Sequence, residues 1–180
     1  MPRKSNPQIV LRPQDLVVLL RLSLVKEAAP SYSQLATALV LTASEVHQGI
    51  DRSVAAQLAR KDPGGRPVVI REALKMFVQH GARYCFPAVF GPITRGTPTG
   101  YAAPPLNALI VQPSEPPPVW PHKAGTVRGL ALYPLYPTVA QAAARDQALY
   151  ELLALFDAVR GGSLRERALA IDELSRRLSN

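Results

Sequence analysis

The sequence predicts a mainly α-helical protein with small β elements, and three observations carry that expectation. Helix caps followed by apolar stripes fill residues 1–83 and again residues 138–180. Between them the pattern changes: 12 of the 18 prolines fall from Phe86 to Pro137, and proline fixes φ and removes a backbone donor. The composition, 47 % hydrophobic and 19 % charged, supports a packed core rather than a disordered chain.

The first helix is expected from Pro13 to about Ala28. Proline suits the first helical position, Asp15 suits the positive end of the helix dipole, and Pro30 ends the element. Its apolar residues, in "LVVLLRLSLV", surround most of the circumference, which predicts cover on more than one side. Ser31 and Gln34 form an S-x-x-Q capping box, starting a second helix over Tyr32 to Leu39. Thr42 and Glu45 form a T-x-x-E box, with Leu41 and Val46 at staple spacing, starting a third helix over Ala43 to Ala59. Val46, Ile50, Val54 and Leu58 stripe one side of it, and Gly49 beside them leaves room for another helix to approach.

Pro63, Gly64 and Gly65 then supply turn material before the β-favouring Val68, Val69 and Ile70, which predicts a small hairpin over residues 60–70 tipped by Arg66. A fourth helix, Arg71 to His80, closes the core with Leu74, Phe77 and Val78. His80 suits the helix C-terminus better than a metal.

Two short helices joined tightly, the second capped and amphipathic, then a hairpin and a helix: in "YSQLATALVLTASEVHQGIDRSV" plus the hairpin the chain resembles the winged helix-turn-helix transcriptional regulators, nearest to the MarR type, over residues 12–81. One departure stands in the inter-helix turn, where the usual glycine is replaced around Val40 and a left-handed backbone would strain a β-branched residue. The resemblance implies a winged helix-turn-helix DNA-binding domain over residues 1–83. Its third helix would read the major groove and its wing would touch the backbone or minor groove.

The outward positions of the third helix are Ser44, His47, Gln48, Asp51 and Arg52. Gln48 suits adenine, Arg52 guanine or a phosphate, and Ser44 a phosphate near the helix N-terminus. Arg66 on the wing is the candidate for a minor-groove or backbone contact, and Arg60 and Lys61, with Arg3 and Lys4 in the tail, would add attraction independent of sequence. Charge agrees with this placement. The formal net charge is +8; residues 1–85 hold 12 Lys and Arg against 6 Asp and Glu, and residues 86–180 hold 9 against 7. The expected partner is double-stranded DNA, and the expected role is that of a bacterial-type regulator acting as a repressor.

The alternative is a protein-binding winged-helix adaptor, or an antitoxin-like partner protein, without direct DNA readout. No P-loop, dinucleotide glycine pattern, nucleophile elbow or HExxH motif occurs, and the three histidines lack metal-ligand spacing. Neither enzymatic activity nor a cofactor is expected. The single Cys85, set between aromatics in "RYCFPA", reads as a buried small hydrophobe and fits a reducing, cytoplasmic setting. Residues 16–25 are too short to span a membrane, Arg21 interrupts them, and no signal peptide or anchor is read.

Residues 84–137 read as a Pro-rich structured connector. "NALIVQ" (107–112) and "TVRGLALY" (126–133) are expected as short strands, and "PSEPPPVWP" (113–121) as extended or polyproline-like chain. In "RGTPTGYAAPPL", Arg95, Thr97, Thr99 and Tyr101 are candidates for a small-ligand or partner site, against a plain rigid loop across the helices. Residues 138–180 read as helices begun by Thr138 with Gln141, by Asp146, and by Ser163 with Glu166, and broken at Gly161 and Gly162. Leu149, Leu152, Leu153, Phe156 and Val159 stripe the longer one; Leu164, Ile171, Leu174 and Leu178 stripe the last. These helices, alone or joined by the first, are expected to form a homodimer seam, with packing inside the monomer as the alternative.

Overall fold

The capping and turn signals of the first half of the chain are met in order, and departures gather in the proline-rich zone and after it. The computed structural model describes residues 8–26 and 29–179; Arg3, Lys4 and Ala28 lie outside them. The fold is mainly helical with small β elements. Helix α1 (Pro13–Ser23) begins with proline at its first turn, and the Arg12 N–H donates to Asp15 Oδ2 at 2.8 Å. It ends at Ser23, before the expected limit. Residues Leu16 to Leu20 are all buried, so this helix is covered all round.

Helices α2 (Tyr32–Leu39) and α3 (Ala43–Ala55) start at the two capping boxes, both of which form reciprocally. Val40 between them is left-handed, with φ 56° and ψ 45°. The strain is held from outside the turn. Thr138 Oγ1 donates to the Val40 carbonyl at 3.2 Å, Tyr136 donates to the Leu39 carbonyl, and Arg145 donates to the Thr37 carbonyl at 3.1 Å. Thr138 therefore spends its hydroxyl on this turn rather than on the expected cap of its own helix.

Helix α3 ends four residues before the expected Ala59, because Gln57 turns left-handed at φ 59° and delivers Leu58 to the core. Strands β1 (Ala59–Lys61) and β2 (Pro67–Val69) then form an antiparallel hairpin in register Arg60 to Val68. Its turn is closed by the Arg66 N–H on Asp62 Oδ1. Helix α4 (Arg71–His80) covers the expected residues, and the short α5 (Ala82–Cys85) follows it. Cys85 is exposed, not buried: the inward positions here are taken by Ala82 and Phe86.

The proline-rich zone departs most from expectation. Strands β3 (Phe90–Pro98), β4 (Pro118–Pro121) and β5 (Val127–Leu132) close on one another as a three-stranded barrel, β3 antiparallel to both partners and β4 parallel to β5. The register of β3 shifts between Phe90 and Ile93, where Pro92 has no N–H for the ladder. So small a barrel closes only through glycine. A Cβ at Gly129 would sit 2.0 Å from the Pro117 carbonyl oxygen, and one at Gly96 would sit 2.1 Å from that of Trp120. Residues 107–112, expected as a strand, instead leave a 3₁₀ turn with Val111 fully outward.

Helices α6 (Val139–Ala143), α7 (Gln147–Gly161) and α8 (Leu164–Ser179) complete the chain. Asp146 caps α7 through the Leu149 N–H, and Ser163 with Glu166 caps α8. Buried residues of all three zones, from Leu16 through Trp120 to Leu178, form one continuous apolar cluster. Helix α7 is buried from Leu152 to Val159, and α8 lays Ala170, Leu174 and Leu178 into the same cluster. The faces expected to form a dimer seam are thus used inside the chain. Leu164, assigned to the apolar side of the last helix, is 81 % exposed because it precedes the first turn that packs.

Candidate nucleic-acid interface

The geometry of α3 is set by one contact with α1. Arg52 grips Asp15 with two parallel bonds, Nε to Oδ2 and Nη2 to Oδ1, each 2.7 Å. Asp15 is fully buried, and the hydrogen bonds Arg52 donates to its carboxylate raise the Arg52 pKa above its ordinary value. Gly49 makes the approach feasible: a Cβ there would stand 2.8 Å from Asp15 Oδ1. The close approach expected at Gly49 is therefore that of the α1 carboxylate. Arg52, expected among the base-reading residues, is corrected to a clamp between α1 and α3, since its guanidinium fork is already filled.

Below that clamp, with Val46 and Ile50 turned inward, Ser44, His47 and Gln48 face outward and are exposed. Gln48 Nε2 makes only a long 3.4 Å contact with Ser44 Oγ, so its amide remains free for other partners. His47 stands edge-on to Tyr32 of α2, ring centres 5.1 Å apart, and its Nδ1 is 3.1 Å from Asp51 Oδ2. Asp51 also receives Lys61 Nζ at 2.9 Å, which ties the hairpin to α3. That bond is the chief reason the Asp51 carboxyl lies below its usual range, and it raises the Lys61 ammonium in return. At the helix start, Glu45 is lowered by the Thr42 backbone N–H and hydroxyl.

The hairpin adds Arg60 on β1 and Arg66 at the turn, both exposed. Neither has a carboxylate partner among the described residues, whereas Lys61 does. Ser44, His47, Gln48 and Lys61 are linked into one open surface through Asp51 and the Ser44–Gln48 contact, and Arg60 and Arg66 are exposed on the adjoining hairpin, without a carboxylate partner among the described residues. Asp51 as the link between His47 and Lys61, and Asp15 as the partner of Arg52, escape sequence reasoning. His47 and Asp51 are one turn apart on α3, but the Lys61–Asp51 and Arg52–Asp15 pairings each depend on another element folding back, over 37 residues in the second case.

The other candidate set does not come together. Arg95 and Arg128 face each other across β3 and β5. Thr97 pairs with Trp120 in the ladder. Thr99 is fully buried and donates to Asp157 Oδ2 at 2.7 Å, while Tyr101 lies beyond it in a 3₁₀ turn beside a separate cavity. Alternation alone would leave Arg95 and Thr97 on one side of β3, but the chain turns after Pro98, taking Thr99 into the interior and Tyr101 into the 3₁₀ turn. Thr99 belongs to a buried knot, in which Asp157 also accepts Trp120 Nε1 and pairs with Arg160 at 2.7 Å.

Among the described residues no group of three or more His, Cys, Asp or Glu side chains is placed to hold a metal ion, and no helix is long and apolar enough to cross a membrane. Compared with family models, curated proteins and solved structures, the chain finds no match.

Proposed function

We propose that this chain is a sequence-specific regulator of transcription that binds double-stranded DNA through a winged helix-turn-helix, α3 lying in the major groove and the β1–β2 hairpin serving as the wing. One observation carries the reading: the outward face of α3 at Ser44, His47 and Gln48 is left uncovered by every later segment of the chain. Its inward face is anchored by Val46, Ile50 and the Arg52–Asp15 clamp. In this reading Gln48 pairs with adenine, Ser44 meets a phosphate at the helix N-terminus, and Arg60 and Arg66 hold the backbone or minor groove. A cytoplasmic homodimer would set two such helices ~34 Å apart on the duplex and act as a repressor.

A second reading has one observation in its favour. Asp51 holds both Lys61 and His47, leaving the face less cationic than the sequence implies, as a protein-binding adaptor would tolerate. Salt dependence separates the two. With Arg60, Lys61 and Arg66 at phosphates, log affinity for duplex should fall against log salt with a slope of about −3 per protomer. A weak duplex affinity with no preferred sequence would remove the regulator reading and leave the adaptor.

A further inference from the structure

Away from the α3 face, an open apolar cleft of about 350 Å³ lies at the seam between the three-stranded barrel and the α7–α8 corner. Its walls are Phe90, Ile93, Leu130 and Leu132, cross-strand partners on β3 and β5 (Phe90 with Leu132, Ile93 with Leu130). Phe90 and Ile93 remain 47 % and 43 % exposed, so apolar surface at the mouth is left open by the described residues. The volume falls in the range of small-molecule sites and, scaled from cavities that hold benzene, admits a ligand of roughly a dozen heavy atoms.

The charge at this cavity is the reverse of that of the chain. The chain is strongly basic, yet the charged side chains lining the cavity are Glu115, Glu166 and Asp157. Asp157 is already balanced by Arg160 and bonded to Trp120 and Thr99. Arg167 approaches from outside and donates to the Val159 and Gly162 carbonyls. Glu166 uses one oxygen on the Ser163 N–H, and Glu115 has no polar partner among the described residues. Two carboxylates are left without a cation. The Tyr101 hydroxyl shares their surroundings: burial raises it, with Glu166 and Glu115 adding to the effect. The wall at Ala158, Gly161 and Gly162 is the C-terminal turn of α7, whose Val159 and Gly162 carbonyls are already met by Arg167, so the free charge at the cavity is that of the two glutamates.

We propose that this cavity binds a small organic cation, a primary amine or guanidinium on a compact apolar body. The charge lies at Glu115 and Glu166 beside Tyr101, and the body lies against Phe90, Ile93 and Leu130. The site is independent of what α3 binds.

The test uses the full chain without DNA and three probes of one shape: 4-phenylbutylamine, 4-phenylbutanol and 4-phenylbutanoate, titrated by calorimetry. The amine should bind about tenfold or more tighter than the alcohol, and the carboxylate weakest of all. Glu115→Gln with Glu166→Gln should erase the preference for the amine; Gln at 166 keeps the α8 capping box, so folding is retained. Leu130→Ala should weaken amine and alcohol alike. Equal binding of the three probes, no binding of the amine, or an amine preference that survives the double variant would each overturn the proposal. So would self-association of the chain that excludes the amine, which would assign the open apolar mouth to a second copy.

Discussion

Replacing Arg52 with alanine separates a structural clamp from a base-reading side chain. Asp15 is fully buried, and its charge is met by two 2.7 Å bonds from Arg52 and one 2.8 Å bond from the Arg12 N–H. Removing Arg52 leaves a buried carboxylate with only the backbone bond, a loss of about 3–5 kcal/mol when one partner of a buried pair is removed. The Arg52 side chain retains 16 % exposure, so water can reach part of the vacated space, and the low end, about 3 kcal/mol, is expected. For a chain of this length that lowers Tm by roughly 6–12 °C. Urea melts followed by circular dichroism would measure the loss. Asp15→Ala should cost less, about 1–2 kcal/mol, because the freed guanidinium can turn to solvent while only the α1 cap and the pair are lost. The double variant should then be more stable than the two losses added predict, by about 1 kcal/mol or more. Held well below its melting temperature, Arg52→Ala should bind duplex within a factor of about three of the parent. A stability loss under about 1 kcal/mol together with a collapse of duplex affinity would refute the clamp and return Arg52 to the reading face.

Other expectations follow from equally local features. Gln57 is exposed with φ 59°, so Gln57→Gly should raise stability by about 0.5 kcal/mol in urea melts, the relief of left-handed strain exceeding the added freedom of the unfolded chain. Gly129→Ala would place a Cβ 2.0 Å from the Pro117 carbonyl oxygen and should cost about 3 kcal/mol. By contrast Gly64→Ala at the hairpin tip, with 3.4 Å to Asp62 Oδ1, should stay within about 0.5 kcal/mol of the parent. Burial pushes the Tyr136 and Tyr150 hydroxyls from 10.0 up to about 12. The folded chain keeps protons that the unfolded chain releases, so this stability is whole below about pH 10 and is lost as pH rises toward about 12. Ultraviolet titration of the phenolates, with and without urea, would show the two late tyrosines only in the folded protein.

The first half of the fold was legible because its signals are local. The Ser31–Gln34 and Thr42–Glu45 boxes, the stripe on α3 and the Pro-Gly-Gly turn act over three to five residues, and each forms where the sequence places it. The left-handed turn at Val40 could be located as strained, but not its remedy, since Tyr136, Thr138 and Arg145 reach it from about a hundred residues away. The barrel was not legible as a whole. "FGPITRGTP" has no alternation of apolar and polar residues, and its strand exists because Gly96 and Gly129 let backbones meet at distances any side chain would forbid. Conversely "NALIVQ" has strand-like residues but no neighbouring edge, and Leu109 and Val111 stay in solvent. On the candidate face, outward positions were readable from helical periodicity alone. Pairing was not: periodicity places Arg52 and Asp51 on the outward side, but not the bonds that join Arg52 to Asp15 and Asp51 to Lys61.

The most direct test of the proposed interface is selection from a randomised duplex library by the parent, Gln48→Ala and Lys61→Ala. A reading α3 requires the parent to enrich a defined site, and Gln48→Ala to lose discrimination at one base pair by about 1–3 kcal/mol. Lys61→Ala should weaken every duplex evenly while keeping the parent's preference. If all three proteins return the same sequences with the same affinities, or none enriches any sequence, the outward face of α3 does not read DNA.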